Sequence, residues 1–529
     1  MQDRSKNFTI TFNGEIYNYR ELRKTLESKG CAFNTQSDTE VILEAYRVYG
    51  PSCVEYLDGM FAFAIWDERA QELFLARDRF GEKPLFYTHR GTELIFASEI
   101  KAILATGLMG ARLDHISLDN YLALGYIPPW RSMYKDIHPL LPAHYAVFKN
   151  GTLTTTRYWQ LRHNPINPSL DEAADTVRTL LGQSVKNRLV ADVEVGAFLS
   201  GGIDSGIVTS LAQQTRTGRP LKSFTAGFED FINELPYAEE IARAVGTDHY
   251  ATHIHTDIAK AFQEAAAYLD EPTADSSIIP TQLLSSFARK HVPVALSGDG
   301  GDELFYGYGH HRNWFHRPLW RKVRDIFQDP FTNHPLHLPN YFSLEERHEL
   351  LKQNSYVEHD IAKYLDLSEG ATPLQKMHLI DLNLILPGDI LTKVDRASMM
   401  HSLEVRAPFL QHDLVQYAFN LPDSYKTNRE RGKLILEHAF KDTLPPGFFT
   451  RKKQGFGAPI SAWLKKPELR PLVESLATPQ AHLSSLLKTD RIAPIVASYI
   501  AGNDQLARRV WTLLALEMWL QTHPDIPTA

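Results

Sequence analysis

Two short glycine-rich loops, each directly after an apolar run, restrict what this chain can fold into. Residues 193–199 run into Ser200-Gly201-Gly202-Ile203-Asp204-Ser205, and residues 292–296 run into Ser297-Gly298-Asp299-Gly300-Gly301-Asp302-Glu303. Further strand-like runs at 221–228 and 249–255 alternate with helix-period segments at 203–213, 237–245, 258–269 and 281–290. A β-α-β-α order of this kind predicts a parallel sheet covered by helices on both faces. Ligands of such sheets bind beyond the carboxyl ends of the strands, which is where both loops fall. In the first loop, small residues let backbone N–H groups turn inward next to a helix N-terminus, a cradle for a phosphate or pyrophosphate. Asp204 adds an oxygen suited to Mg²⁺. In the second, three carboxylates close together repel one another, which favours a bound cation or a proton-transfer role. Taken singly, a serine-capped glycine turn and an exposed acidic loop are the alternatives. Neither loop fits G-x-x-x-x-G-K or G-x-G-x-x-G, and the chain has no H-E-x-x-H and no G-x-S-x-G. That speaks against a P-loop NTPase, a dinucleotide enzyme, a zincin and an α/β-hydrolase.

The preceding part reads differently. Residues 61–66 and 72–76 flank a polar turn, 85–87 and 94–96 flank Arg90-Gly91, and 145–148 precede Asn150-Gly151, a strong hairpin signal because both residues tolerate positive φ. Antiparallel hairpins are therefore expected over the first 160 or so residues. Asn164, Pro165, Asn167 and Pro168 then form a turn-rich break, and Ser169 with Glu172 fits a capping box. The expected domains are 1–163 and 169–529. From about Asn313 onward the pattern is mostly helical.

Lys plus Arg number 56 and Asp plus Glu 63, a formal net charge of −7, which argues against a nucleic-acid partner. No apolar stretch is long enough for a membrane span and no secretory leader is legible, so a cytoplasmic protein is expected. The only cysteines, Cys31 and Cys53, cannot build a disulfide framework or a cysteine zinc site. His249, His253 and His255 put two imidazoles on one strand face, but nothing nearby completes a tetrahedral set, and a metal is not expected there. Residues 310–324 are basic and aromatic and could stack on nucleic acid; the overall acidity favours a packing helix or a solvated face.

Together the two loops resemble the pyrophosphate-loop ATPases that adenylate a substrate, and more closely the glutamine-dependent asparagine synthetase family. The likeness continues through Leu391-Thr392-Lys393-Val394-Asp395-Arg396-Ala397-Ser398-Met399, Leu403-Glu404-Val405-Arg406-Ala407-Pro408-Phe409-Leu410 and Arg451-Lys452-Lys453-Gln454-Gly455-Phe456-Gly457. Upstream, Asn13-Gly14-Glu15-Ile16-Tyr17-Asn18 and Ala76-Arg77-Asp78-Arg79-Phe80-Gly81 resemble the family's glutaminase domain. The resemblance implies an α+β glutaminase domain of the Ntn-hydrolase type, built of antiparallel sheets. It is followed by an α/β synthetase domain of the adenine-nucleotide alpha-hydrolase, or PP-loop ATPase, type.

It also implies an activity. Mg²⁺ and ATP convert the aspartate side-chain carboxylate into β-aspartyl-AMP, which ammonia released from glutamine attacks to give asparagine, AMP and diphosphate. By the same resemblance Ser200, Gly201, Gly202 and Ser205 hold the pyrophosphate, Leu199, Ala226, Ser297 and Gly298 line the nucleotide pocket, and Asp204 and Asp302 ligate Mg²⁺. Lys453 stabilises charge on the phosphates, Asp299 assists the ammonia step as base or orienter where several relatives carry Glu, and Tyr308 faces the intermediate. Asn13 and Gly14 correspond to an oxyanion hole and Asp38 to the group gripping the glutamine amino group. Relatives are often dimers, which implies a homodimer. The family's nucleophile is a cysteine at the mature N-terminus, whereas here Met1 is followed by Gln2. The expectation is an N-terminally incomplete glutaminase domain, inactive in this chain and with an exposed sheet edge. Two rival readings stay open: an amidotransferase of the same family acting on another carboxylate, and a non-catalytic remnant.

Overall fold

The computed structural model describes residues 1–228, 234–254, 257–316, 341–353, 370–445, 447–450 and 458–523. The first part contains β1 (Phe8–Ile16), β2 (Gly59–Asp67), β3 (Glu72–Arg77), β4 (Phe86–Arg90), β5 (Glu93–Ala97), β6 (His138–Pro139), β7 (His144–Lys149) and β8 (Thr152–Arg157). They form two sheets, in the orders β1-β2-β3-β7-β8 and β5-β4-β6, with every pairing antiparallel. The β7–β8 hairpin turns at Asn150 and Gly151, with φ of 51° and 76°. Strand β1 is the outer strand of its sheet, and the chain before it folds back along that side, Gln2 bridging Thr9. Phe61, Phe63, Ile65 and Phe74 on one face pack over Val41, Ile42 and Ala45 of the Asp38–Tyr49 helix.

The loop after β3 is organised by one carboxylate. Asp78 is fully buried and accepts hydrogen bonds from the backbone nitrogens of Phe61, Phe80, Glu82 and Lys83 at 2.9–3.2 Å. Buried backbone donors need such acceptors, which accounts for an aspartate in this motif.

A capping box at Ser169 and Glu172 opens the Leu170–Arg188 helix, and a second sheet follows. Its strands are β9 (Val195–Phe198), β10 (Lys222–Phe228), β11 (Asp248–Ile254), β12 (Val294–Leu296) and β13 (Glu404–Arg406), in the order β11-β10-β9-β12-β13 and all parallel. From β9 the chain adds β10 and β11 on one side, then crosses to add β12 and β13 on the other. The reversal between β9 and β12 creates a crevice at their carboxyl ends. The β9 strand is shorter than expected, because Val193 is 51% exposed and lies outside the sheet. Strand β13 was not anticipated within a stretch that reads as helical. No helix among the described residues is long and apolar enough to cross a membrane.

Candidate active site

Both glycine loops leave the sheet at this crevice. The first turns directly into the Ile203–Gln214 helix, buried along Ser205–Ala212. Its shape is set by serines: Ser205 Oγ accepts from Ser200 N at 3.2 Å and lies 2.9 Å from Ser200 Oγ, which accepts from Gly202 N at 3.2 Å. The second loop presses against the first. A Cβ on Gly298 would sit 2.8 Å from Ser205 N and 2.9 Å from Asp204 Cβ, closer than real side chains come, so only glycine lets the loops meet.

Where they meet lies a cavity of about 1270 Å³, large enough for a nucleotide and a small acid. Leu199, Ser200, Gly201, Gly202, Asp204, Ser205, Ala226, Ser297, Gly298, Asp299, Asp302 and Tyr308 all line it. Every expected synthetase-side residue among those described is therefore brought to one place. Lys453 falls outside the described residues, as do Arg451 and Lys452.

The two carboxylates expected to hold Mg²⁺ converge. Lys433 Nζ is 2.5 Å from Asp302 Oδ1 and also contacts Asp204 Oδ2. Burial works against the ammonium, yet Asp204 and Asp302 outweigh it and raise its pKa above the ordinary lysine value. A pair of carboxylates that jointly grips one cation is an oxygen donor set that fits Mg²⁺. Two further carboxylates line the same cavity. Asp299 is raised above its usual value by burial, with Lys393 opposing. Glu303 is pushed to about 8 by burial and accepts from Tyr308 Oη at 2.5 Å.

Several residues here escaped the sequence reading. Lys433 stands far along the chain with no local motif, at φ 61°, and its backbone nitrogen donates to Phe305 O at 2.9 Å. Lys393 lies inside a signature already noted, pairs with Asp275 at 3.0 Å and lines the cavity; only the helix face it occupies distinguishes it from its neighbours.

The glutaminase-side residues also cluster. Gly14, at φ 145°, lies so close to β2 that a Cβ would sit 2.8 Å from Phe61 Cα. Ile16 N donates to Asp38 Oδ2 at 3.0 Å, and Asn13 Nδ2 donates to Ser98 Oγ at 3.3 Å. Ser98 O in turn accepts from Arg396 at 2.9 Å, on the helix that carries Lys393. On the same helix, Asp395 pairs with buried Lys83 at 3.0 Å. The Leu391–Met399 helix thus touches both regions.

This arrangement of an antiparallel N-terminal part packed against a domain with a glycine-loop crevice agrees with family comparison. The asparagine synthase model matches residues 176–521, and a glutamine amidotransferase domain model matches residues 1–159. The chain belongs to the asparagine synthase family. Asparagine synthetase [glutamine-hydrolyzing] 1 of Bacillus subtilis (strain 168) is 32% identical, covering 97% of this chain and 85% of that protein. Asparagine synthetase [glutamine-hydrolyzing] 3 of the same organism is 35% identical over 87% and 78%. Amidase chyE of Penicillium rubens is 28% identical over 90% and 80%.

These matches confirm the fold class and correct one expectation. The amidotransferase model matches residues 1–159, and the expectation of an N-terminally incomplete glutaminase domain is not borne out. With that domain present, an inactive glutaminase half has no support. Of the three strand histidines, His249 Nδ1 lies 2.8 Å from Ser223 Oγ, His253 belongs to no metal-ligand cluster among the described residues, and His255 lies outside them. In the aromatic stretch Trp314 is buried on the Gly309–His316 helix, a packing position, and residues from 317 lie outside the description.

Proposed function

We propose that this member of the asparagine synthase family makes asparagine from aspartate, using ATP, Mg²⁺ and nitrogen from glutamine or ammonia. The observation that carries this reading is the convergence of Asp204 and Asp302 on one cation beside the Ser200–Ser205 cradle. A carboxylate is a poor electrophile, and exchanging an oxygen for AMP supplies a better leaving group. The aspartate side-chain oxygen attacks the α-phosphorus, and the bond to the bridging oxygen breaks as diphosphate leaves with the electron pair. Backbone N–H groups at Gly201 and Gly202 and the hydroxyls of Ser200 and Ser205 hold the diphosphate, supported by the following helix N-terminus. Leu199, Ala226, Ser297 and Gly298 pack the nucleoside. Asp204 and Asp302 would hold Mg²⁺, which would supply charge neutralisation to the phosphates.

Ammonia nitrogen then attacks the acyl carbon, AMP leaves, and a proton must be taken from nitrogen. Asp299 takes it: it is half-buried in the cavity wall, faces Lys393, and its raised pKa suits a proton acceptor. Tyr308, hydrogen-bonded to Glu303, closes the acceptor end. Lys453, by the family resemblance, stabilises the charge developing on the α-phosphate. In the N-terminal domain Asn13 and Gly14 form the oxyanion hole and Asp38 grips the glutamine amino group. We place the domains at 1–163 and 169–529, the enzyme in the cytoplasm, and its assembly as a homodimer.

A second reading keeps the chemistry and changes the acceptor, favoured by the likeness to amidase chyE over 90% of the chain. The test is AMP and diphosphate release from Mg-ATP with a panel of carboxylic acids, in the wild type and Asp204→Asn. Aspartate-dependent AMP that disappears in the variant supports the proposal; full activity in the variant sinks the metal role, and another acid in place of aspartate moves the chain to the second reading.

A further inference from the structure

The Gly309–His316 helix starts just past Tyr308 and directs two consecutive imidazoles at a carboxylate from a distant segment. His310 Nε2 and His311 Nε2 lie 3.2 and 3.0 Å from the same oxygen, Asp381 Oδ2. One donor atom from each of the three lies within 4.8 Å of the others. His311 and Asp381 are fully buried and the His310 side chain is 19% exposed.

The support for these side chains is unusual for a core. The His311 ring stacks on Tyr306 at 4.4 Å and the His310 ring on Tyr308 at 5.3 Å, so both imidazoles are held in orientation. Tyr306 adopts a left-handed φ of 57°, a strained conformation for a tyrosine. Asp381 begins a π-helical run, Asp381–Ile390, and insertions of this kind concentrate at functional positions because they re-aim a side chain. One turn before it, His378 is fully buried, and neither ring nitrogen has a hydrogen-bond partner among the described residues. Buried polar nitrogens are costly to leave unbonded, and apolar side chains would fill the same space without that cost.

We propose that His310 Nε2, His311 Nε2 and Asp381 Oδ2 bind one zinc-class divalent ion, separate from the Mg²⁺ carboxylates. Ligands about 2.0–2.1 Å from a tetrahedral metal lie roughly 3.3 Å apart, close to both nitrogen–oxygen separations. Two imidazoles and a carboxylate suit zinc and its neighbours rather than Mg²⁺, which prefers an all-oxygen shell. Three protein ligands leave a fourth position open, as in sites that keep a water or a substrate group. That position is reached from the partly exposed His310. The ring stacked on His310 is Tyr308, which lines the nucleotide cavity, so the ion stiffens that wall.

The test uses the full-length, untagged protein, stripped with chelator and dialysed against ZnCl₂ in excess MgCl₂ so that oxygen sites are filled. Zinc is measured by mass spectrometry, and a Co²⁺-loaded sample is examined by visible absorption. The expected result is one zinc per chain and an intense visible cobalt band of low coordination number. Both fall at least tenfold in His311→Ala and Asp381→Asn. Should these variants misfold, the partly exposed His310→Gln and the wild-type cobalt spectrum decide the matter. No zinc above buffer, a weak octahedral cobalt spectrum, or unchanged zinc in folded variants overturns the site and leaves a plain hydrogen-bonded His–Asp–His cluster.

Discussion

Lys433 holds its ammonium 2.5 Å from the Asp302 carboxylate, and the same nitrogen contacts Asp204. Two carboxylates on loops that follow different strands are thus tied together by a side chain from a third segment. The two carboxylates repel one another, and the Lys433 ammonium between them offsets that repulsion. Lys433→Met should lower stability by about 3–5 kcal/mol, the usual cost of breaking a buried ion pair on one side. Millimolar Mg²⁺ alone should restore part of that loss in the variant and do little to the wild type. Thermal melts with and without MgCl₂ check this; equal Mg²⁺ responses contradict it.

Gly298 sets the distance between the two loops. Gly298→Ala forces a methyl against Ser205 N and Asp204 Cβ, so the loops must separate. Misplacing phosphate donors by an ångström is enough to cost about a hundredfold in rate. Aspartate-dependent AMP formation should fall by that order, while glutamine hydrolysis, in the other domain, changes little. Parallel assays of AMP and glutamate release separate the two effects.

Arg396 joins the two halves. It donates to Ser98 O at 2.9 Å, and Ser98 Oγ accepts from Asn13 at 3.3 Å. Arg396→Ala removes the first link and should reduce glutamine-supported amide synthesis about tenfold more than ammonia-supported synthesis, one bond to a charged group being worth roughly 1.5–3 kcal/mol. Equal losses with both nitrogen sources mean that the residue serves folding only.

Glu303 gives a pH signature. Its pKa is pushed to about 8 by burial, against 4.5 ordinarily. Between these values the folded protein keeps a proton that the unfolded chain has released. The stability this confers is complete below pH 4.5 and is lost as pH rises through 8. Glu303→Gln cannot titrate. The wild type should therefore lose stability relative to the variant by about 1.4 kcal/mol per pH unit across that window. Urea midpoints of the two proteins at pH 5.5, 6.5 and 7.5, roughly spanning it, provide the comparison; parallel slopes contradict it.

Much of this site is legible in the chain because its chemistry is local. Glycine and carboxylate spacing after an apolar run specifies a loop at a strand end, and Asn150-Gly151 specifies a hairpin, with no tertiary information needed. The Lys433 side chain reaches the site only through tertiary packing, as its backbone nitrogen bonds Phe305 O beside the second loop. Strand β13 escaped notice since Glu404-Val405-Arg406 is only three residues long and mostly charged; it becomes a strand by pairing with β12, Val294 opposite Glu404. The histidine cluster was missed for the same reason, Asp381 arriving from a distant helix junction.

A chain that activates aspartate with ATP and aminates it leaves two products that one experiment can trace. The purified chain is given aspartate and Mg-ATP with either ¹⁵N-ammonium or amide-¹⁵N-glutamine, and the products are resolved by mass spectrometry. Labelled asparagine from ¹⁵N-ammonium, in equal amount to AMP, is the expected result, and label from glutamine as well would show a working glutaminase half. Absence of both asparagine and AMP with either source would contradict the proposed activity.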